Sequence, residues 1–322
     1  KDARFLSELL QEGIRVRVSQ KPFKIDGNSF ERGSLIITKA DNPDPKTIIN
    51  LFGIFGRYSD KKVTTVNTGF VDQGKDFGSS YVSMINPVKV AVLSGEPTST
   101  LSFGEVWHFF EQQLGYPLTV IDTDYFRNVD LSAYDVLVLP NGRGYKSFMN
   151  EAILTKISDW VADGGRLIAM GGSIDGIAGK DGFKIKMKED NKSDEDSPEP
   201  ELYEEAERER MKQQITGAIF RTKVDPTHPL GFGYGDTYFS LKLGDDSYEY
   251  LERGSVAYLE DDTKPMAGFA GSEAQKKVAK TLVFGVENKG RGEVVYMVDN
   301  PLFRGFWENG KLFFANALFM IN

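Results

Sequence analysis

Three short apolar runs, each ending in glycine, constrain the fold of this chain more than any other feature. They are "VKVAVLSG" (88–95), "YDVLVLPNGRG" (134–144) and "RLIAMGG" (166–172). None has a polar face, so each reads as a strand covered on both sides, as in a parallel sheet flanked by helices. A fourth strand, "PLTVID", lies between the first two. The intervening segments, "SFGEVWHFFEQQLG" and "NEAILTKISDWVADGG", have apolar residues at helical spacing, and Ser102 and Glu105 are placed as a capping box. Strand–helix alternation with glycine turns predicts an α/β fold with a doubly wound, mostly parallel sheet and right-handed crossovers.

Ahead of this sheet, residues 1–86 read as a small α/β unit. "DARFLSELLQEG" is a short amphipathic helix, and the chain turns as a hairpin at Asp26-Gly27-Asn28. "PKTIINLFGIFGRYS" is a second helix and "KVTTVNT" a strand. With the boundary near Pro87, the 322 residues divide into 1–86 and 87–322. An acidic insertion interrupts the second domain at about 180–214. Residues 189–210 carry eleven acids against three bases, which accounts for the whole net charge of −8. It reads as a solvated, partly disordered excursion ending in an exposed helix over about 200–214. Beyond 231, short strands alternate with turns, "KGRG" is a hairpin turn, and "ENGKLFFANALFMIN" is a helix that docks on the sheet.

Composition excludes several functions. With no cysteine, the chain has no disulfide, no thiolate nucleophile and no Cys-ligated zinc. Lysine and arginine are not clustered as a nucleic-acid surface requires. No apolar run approaches the ~20 residues of a membrane span. No signal peptide opens the chain, which reads as a fragment or mature form.

In an open α/β sheet, ligands bind beyond the carboxyl ends of the strands. Two glycine-rich loops leave such ends, "PNGRGY" (140–145) and "MGGSIDG" (170–176). Gly142, Arg143, Gly144 and Tyr145 on the first, with Met170, Gly171, Gly172 and Ser173 on the second, are the candidate ligand-binding residues. Together they look like an oxyanion loop facing a nucleophile elbow. The plainer reading is a pair of tight strand-to-helix turns, and the missing nucleophile favours it. Ser173 departs from G-x-S-x-G because Asp175 stands where the second glycine belongs.

His108 and Glu111 have H-x-x-E spacing, and with His228 they would make a valid zinc triad. Phe103, Val106, Phe110 and Leu114 define the buried stripe of that helix, which leaves His108 and Glu111 on its polar flank. His228 sits in the turn "DPTHP" and reads as structural. No catalytic residue and no metal ligand is therefore assigned. Asp299 and Asn300 end a buried strand, where Arg304 and Trp307 line a pocket or Arg304 pairs with an acid.

Five stretches carry a resemblance: 90–126 ("VAVLSGEP…DTDYF"), "LSAYDVLVLPNGRGY", "GGRLIAMGG", "ITGAIFRTKVDPTHPLGFG" and "DNPLFRGFWENGKLFFANALF". They resemble the C-terminal region of large bacterial zinc carboxypeptidase-family proteins. There a class I glutamine amidotransferase-like domain, flavodoxin-like in fold, follows the metallopeptidase domain. The similarity spans 88–322, and "LSELLQEGIRVRV…FERGSLIITKA" resembles the unit connecting the two domains. On this resemblance Gly142, Arg143, Gly144 and Tyr145 match the oxyanion loop, and Met170 falls where an active amidotransferase has its cysteine. A thioether cannot become that nucleophile. The resemblance thus implies a pseudoenzyme, a non-catalytic accessory region of a periplasmic or secreted metallopeptidase engaged in proteolysis. Its partner would be its own upstream peptidase domain, with peptide or glycan as a further ligand. Zinc is expected only in that upstream domain, and no cofactor, nucleic acid or membrane span in this chain. Two alternatives stay open: a small-molecule binding module, and a hydrolase using Ser173.

Overall fold

The computed structural model describes residues 2–189 and 205–321. Helix α1 (Asp2–Gln11) turns Phe5, Leu6, Leu9 and Leu10 inward, the spacing of one helical face. Strand β1 (Val16–Ser19) leads into the hairpin of β2 (Phe23–Ile25) and β3 (Asn28–Phe30). Its turn residues Asp26 and Gly27 take φ of 47° and 72°, the geometry that Asp-Gly favours in a two-residue turn. Strand β4 (Leu35–Ile36) returns beside β1. Helix α2 (Pro45–Arg57) starts on proline, with the Asp44 carboxylate accepting from the Lys46 N–H. Strand β5 (Val82–Ile85) takes the other edge of β1. The strand expected over "KVTTVNT" does not form. Residues 62–68 run irregularly, outside the three-stranded sheet β4–β1–β5.

The second unit opens with β6 (Val90–Ser94), α3 (Thr100–His108), β7 (Thr119–Asp122), β8 (Val136–Leu139), the one-turn α4 (Tyr145–Phe148), α5 (Glu151–Ala162) and β9 (Arg166–Met170). After the insertion come α6 (Ala206–Lys212), β10 (Ile215–Val224), β11 (Thr237–Lys242), β12 (Ser255–Tyr258), β13 (Pro265–Ala270), α7 (Ser272–Val278), β14 (Leu282–Lys289), β15 (Gly292–Met297) and α8 (Glu308–Phe319). Most of the acidic run lies outside the described residues. Its described end, α6, buries no side chain, as expected of a solvated helix.

Parallel pairing joins β7–β6–β8–β9–β15. Numbered by appearance, that order is 2-1-3-4-5, the flavodoxin-like doubly wound arrangement. The antiparallel strands β14, β12, β10 and β11 extend the sheet from β15, and β13 also pairs with β10. Along each parallel core strand, side chains alternate between two separate cores. Val90, Val92, Val136, Val138, Ile168 and Met170 enter the core beneath α3 and α8. Ala91, Leu93, Leu137, Leu139, Leu167 and Ala169 enter the one beneath α5. The uninterrupted apolar runs follow from this two-sided covering.

Helix α3 begins earlier than its expected capping box. Ser99 occupies the N-cap position, and Ser102 lies inside the helix, where its Oγ accepts the Asn141 N–H at 3.0 Å. A π-helical turn over Phe109–Leu114 follows, closed by Gly115 at φ 65°. The "KGRG" turn joins β14 to β15 through Gly290 and Arg291. Helix α8 is buried almost all round from Phe313 to Phe319 rather than on one face. The sheet covers one side, and the first unit covers the other, since Phe5, Leu6, Leu9 and Leu10 belong to the same core cluster as Phe313 and Phe319.

Candidate functional site

In this strand order the ligand crevice belongs at the switch point, between the ends of β6 and β8. Here main chain fills it. The segment after β6 pairs with the loop after β8 through a Thr98–Gly142 bridge and the Ser99 N–H on the Asn141 carbonyl at 2.9 Å. The Gly142 Cα lies so close to Pro97 that a Cβ there would stand 2.0 Å from the Pro97 carbonyl oxygen. Gly144 takes φ 100° to start α4, a conformation that favours glycine. Tyr145 points inward, not at a ligand. Its hydroxyl donates to the Pro140 carbonyl at 2.9 Å and meets Thr98 Oγ1 at 2.8 Å, and burial raises the phenol well above its usual range.

Met170 has extended backbone, φ −117° and ψ 130°, and its side chain is fully buried in the core. The residue that takes positive φ on this bend is Gly171, at 50°. Ala169 and Ser173 are then the small residues two before and two after it. A side chain at position 171 would place its Cβ 2.7 Å from Asn141 Oδ1. Gly172 donates its N–H to that same oxygen at 2.8 Å.

Ser173 is fully buried too. Its Oγ accepts the Met170 N–H at 2.8 Å and lies 2.9 Å and 3.1 Å from the carbonyl oxygens of Met170 and Leu139. Among the described residues its partners are these backbone groups, so the hydroxyl pins the turn. Of the eight candidate residues, Gly142, Tyr145, Met170 and Ser173 are thus buried as framework, and Arg143, Gly144, Gly171 and Gly172 reach solvent.

Beside the elbow lies a polar cluster that the sequence reading left unassembled. Asp175 accepts the Tyr248 hydroxyl at 2.6 Å. Asp299, at the end of β15, accepts from Lys242 Nζ at 2.8 Å and from Ser240 Oγ at 2.5 Å, with Lys242 only 1% exposed. Four strand spacings of about 4.8 Å would hold β11 some 19 Å from β15 in a flat sheet, so the antiparallel half curls over the strand ends. Burial, with the Asp175 charge adding to it, raises the Asp246 carboxyl above its ordinary value.

Asn300 and Arg304 serve the framework as well. Glu105 on α3 accepts the Asn300 side-chain amide at 2.6 Å and the backbone N–H of Arg304 at 2.7 Å. The Trp307 indole donates to the Tyr238 hydroxyl at 3.2 Å. His108 and Glu111 are exposed, with His108 Nδ1 3.4 Å from the Gln113 amide. His228 Nδ1 accepts the Leu230 N–H at 3.1 Å, and Asp225 accepts from Thr227, the structural turn that was expected. Among the described residues no three His, Asp or Glu side chains gather as a metal site. None of the described helices is long and apolar enough to cross a membrane.

Strand order and helix placement define a doubly wound α/β domain of flavodoxin-like topology, preceded by a small α/β unit. No protein-family model matches the chain, and no curated protein matches it. Among solved structures it is similar to a protein described as a GMP synthase subunit from Thermoplasma acidophilum. That likeness has 13% identity and a TM-score of 0.44 over 72% of this chain and 94% of the other. A ThuA-like protein from Bacteroides uniformis gives 11% and 0.41, over 71% and 89%. A glutamine amidotransferase from Thermotoga maritima gives 10% and 0.39, over 67% and 76%. The fold class rests on the strand order itself.

Proposed function

We propose that this chain is a catalytically silent, amidotransferase-like module acting as the accessory region of a periplasmic or secreted zinc metallocarboxypeptidase-like protein. The observation that carries the silent part is Gly171. The elbow position has no side chain, and Asn141 Oδ1 occupies the space a nucleophile would need. The nearest hydroxyl on the turn, that of Ser173, is committed to backbone partners. The accessory part draws its support from the sequence resemblance and from α2, whose Ile49 and Phe52 are 69% and 67% exposed, an apolar face suited to an adjoining domain.

Glutamine and p-nitrophenyl ester hydrolysis, measured for the wild type and Ser173→Ala, tests the silent part. We expect no turnover from either. Hydrolysis that a folded Ser173→Ala variant loses would overturn it. The accessory part is tested by reading what the gene encodes upstream of Lys1. A metallopeptidase domain there supports it, and any other content removes the parent from the proposal.

A further inference from the structure

The first unit docks on α8 without closing against it. Between them lies a cavity of about 710 Å³, within the ~300–1,000 Å³ usual for small-molecule sites. Eight phenylalanines line it, among them Phe5, Phe23 and Phe30 from the first unit and Phe232 and Phe319 from the second. Such a wall accepts an apolar chain and offers it almost no hydrogen bonds.

The polar lining has one dominant sign. Arg32, Lys39, Lys61 and Lys62 face a single acid, Asp2. Asp2 is engaged with Lys61 at 2.5 Å, and Lys61 also pairs with Asp60. Lys39, Lys62 and Phe52 are exposed and so lie towards the mouth. Arg32 is different. Its Nε is buried and meets no acceptor among the described residues. A guanidinium N–H taken from water without an acceptor is destabilising, and native structures seldom leave one so unless something else binds it.

We propose that this cavity binds a single-chain amphiphile with an anionic head, its chain among the phenylalanines and its head on Arg32. The planar guanidinium suits a carboxylate or a phosphate monoester, each able to accept two N–H bonds. A neutral hydroxyl head could accept one N–H bond but would leave the guanidinium charge uncompensated and its two-pronged fork half used. A dianionic ligand without a chain would leave the apolar wall bare. The inference stands independently of the elbow and so of the catalytic silence; it shares only Phe52, at the cavity mouth, with the apolar face of α2.

Calorimetric titration of the whole chain with dodecanoate and dodecyl phosphate below their micellar concentrations, and with dodecanol below its solubility limit, tests it. We expect saturable one-to-one binding of at least one anion, and dodecanol weaker by about tenfold or more. Which anion binds tighter identifies the head. Arg32→Met should erase the preference for the anion and leave dodecanol unchanged. Arg32→Lys, which keeps the charge without the fork, should retain part of it. No saturable binding of any of the three overturns the cavity as a site, and dodecanol binding as tightly as both anions overturns the role of Arg32. The comparison among wild-type titrations does not depend on either variant folding.

Discussion

Asn141 Oδ1 accepts the Gly172 N–H at 2.8 Å, and this one bond ties the loop after β8 to the elbow after β9. Asn141→Ala removes the acceptor and leaves the elbow amide to water, since the bond lies at the surface. We expect a loss of about 0.5–1 kcal/mol. Asn141→Asp, which keeps an acceptor oxygen, should lose less. Urea unfolding of the two variants measures the difference.

Gly142 and Gly104 form a contrasting pair. A Cβ at Gly142 would meet the Pro97 carbonyl oxygen at 2.0 Å, whereas a Cβ at Gly104, inside α3, meets nothing within 4 Å. Gly142→Ala should destabilise by about 3 kcal/mol or more, since main chain must move. Gly104→Ala should stabilise by roughly 0.5–1 kcal/mol through helix propensity. Equal effects in thermal unfolding would refute the close approach of the two loops.

The Lys242–Asp299 pair is buried on both sides, at 1% and 6% side-chain exposure. Lys242→Met strands the Asp299 carboxylate and should destabilise by about 3–5 kcal/mol. A Lys242→Met/Asp299→Leu double variant should regain more than half of that. If the double variant is as unstable as the sum of the singles, the two residues do not act as a pair.

Two groups give stability an acid dependence. Burial pushes the His228 imidazole below its ordinary value of 6.5. The unfolded chain therefore takes up that proton first, and stability falls as pH drops below about 6.5. Hydrogen bonding from Arg17 holds the Asp41 carboxyl at about 2, against an ordinary 3.8. Its contribution is complete above 3.8 and disappears as pH falls towards 2. Melting temperature followed from pH 8 to pH 2.5 should decline in two stages. His228→Asn, which retains an acceptor for the Leu230 N–H, should flatten the first stage, and Asp41→Asn the second.

The parallel strands were legible because both faces of β6, β8 and β9 are covered, which removes polar residues from the pattern. The bend after β9 was legible, but not which of its glycines carries the turn. "MGG" offers two glycines able to take positive φ, and Gly171 alone does so. Ser173 looked like a candidate because sequence spacing does not reveal that a hydroxyl is already bonded to its own turn. Lys242 gave no signal, since a lysine on an alternating strand reads as solvent-facing and its partner lies 57 positions away. The phenylalanine-lined cavity was equally hidden. It exists only where residues 2–86 meet α8, a relationship that no local pattern encodes.

Because α1 shares its core with α8 and with β6 and β8, the first unit is not a bead on a string. Calorimetry should then record one cooperative melting event for the whole chain. Cutting at Pro87 would yield two sticky fragments, each with a raw apolar surface, and not two independent folding units. Anyone transplanting the α/β sheet into another protein would have to carry those first residues along with it.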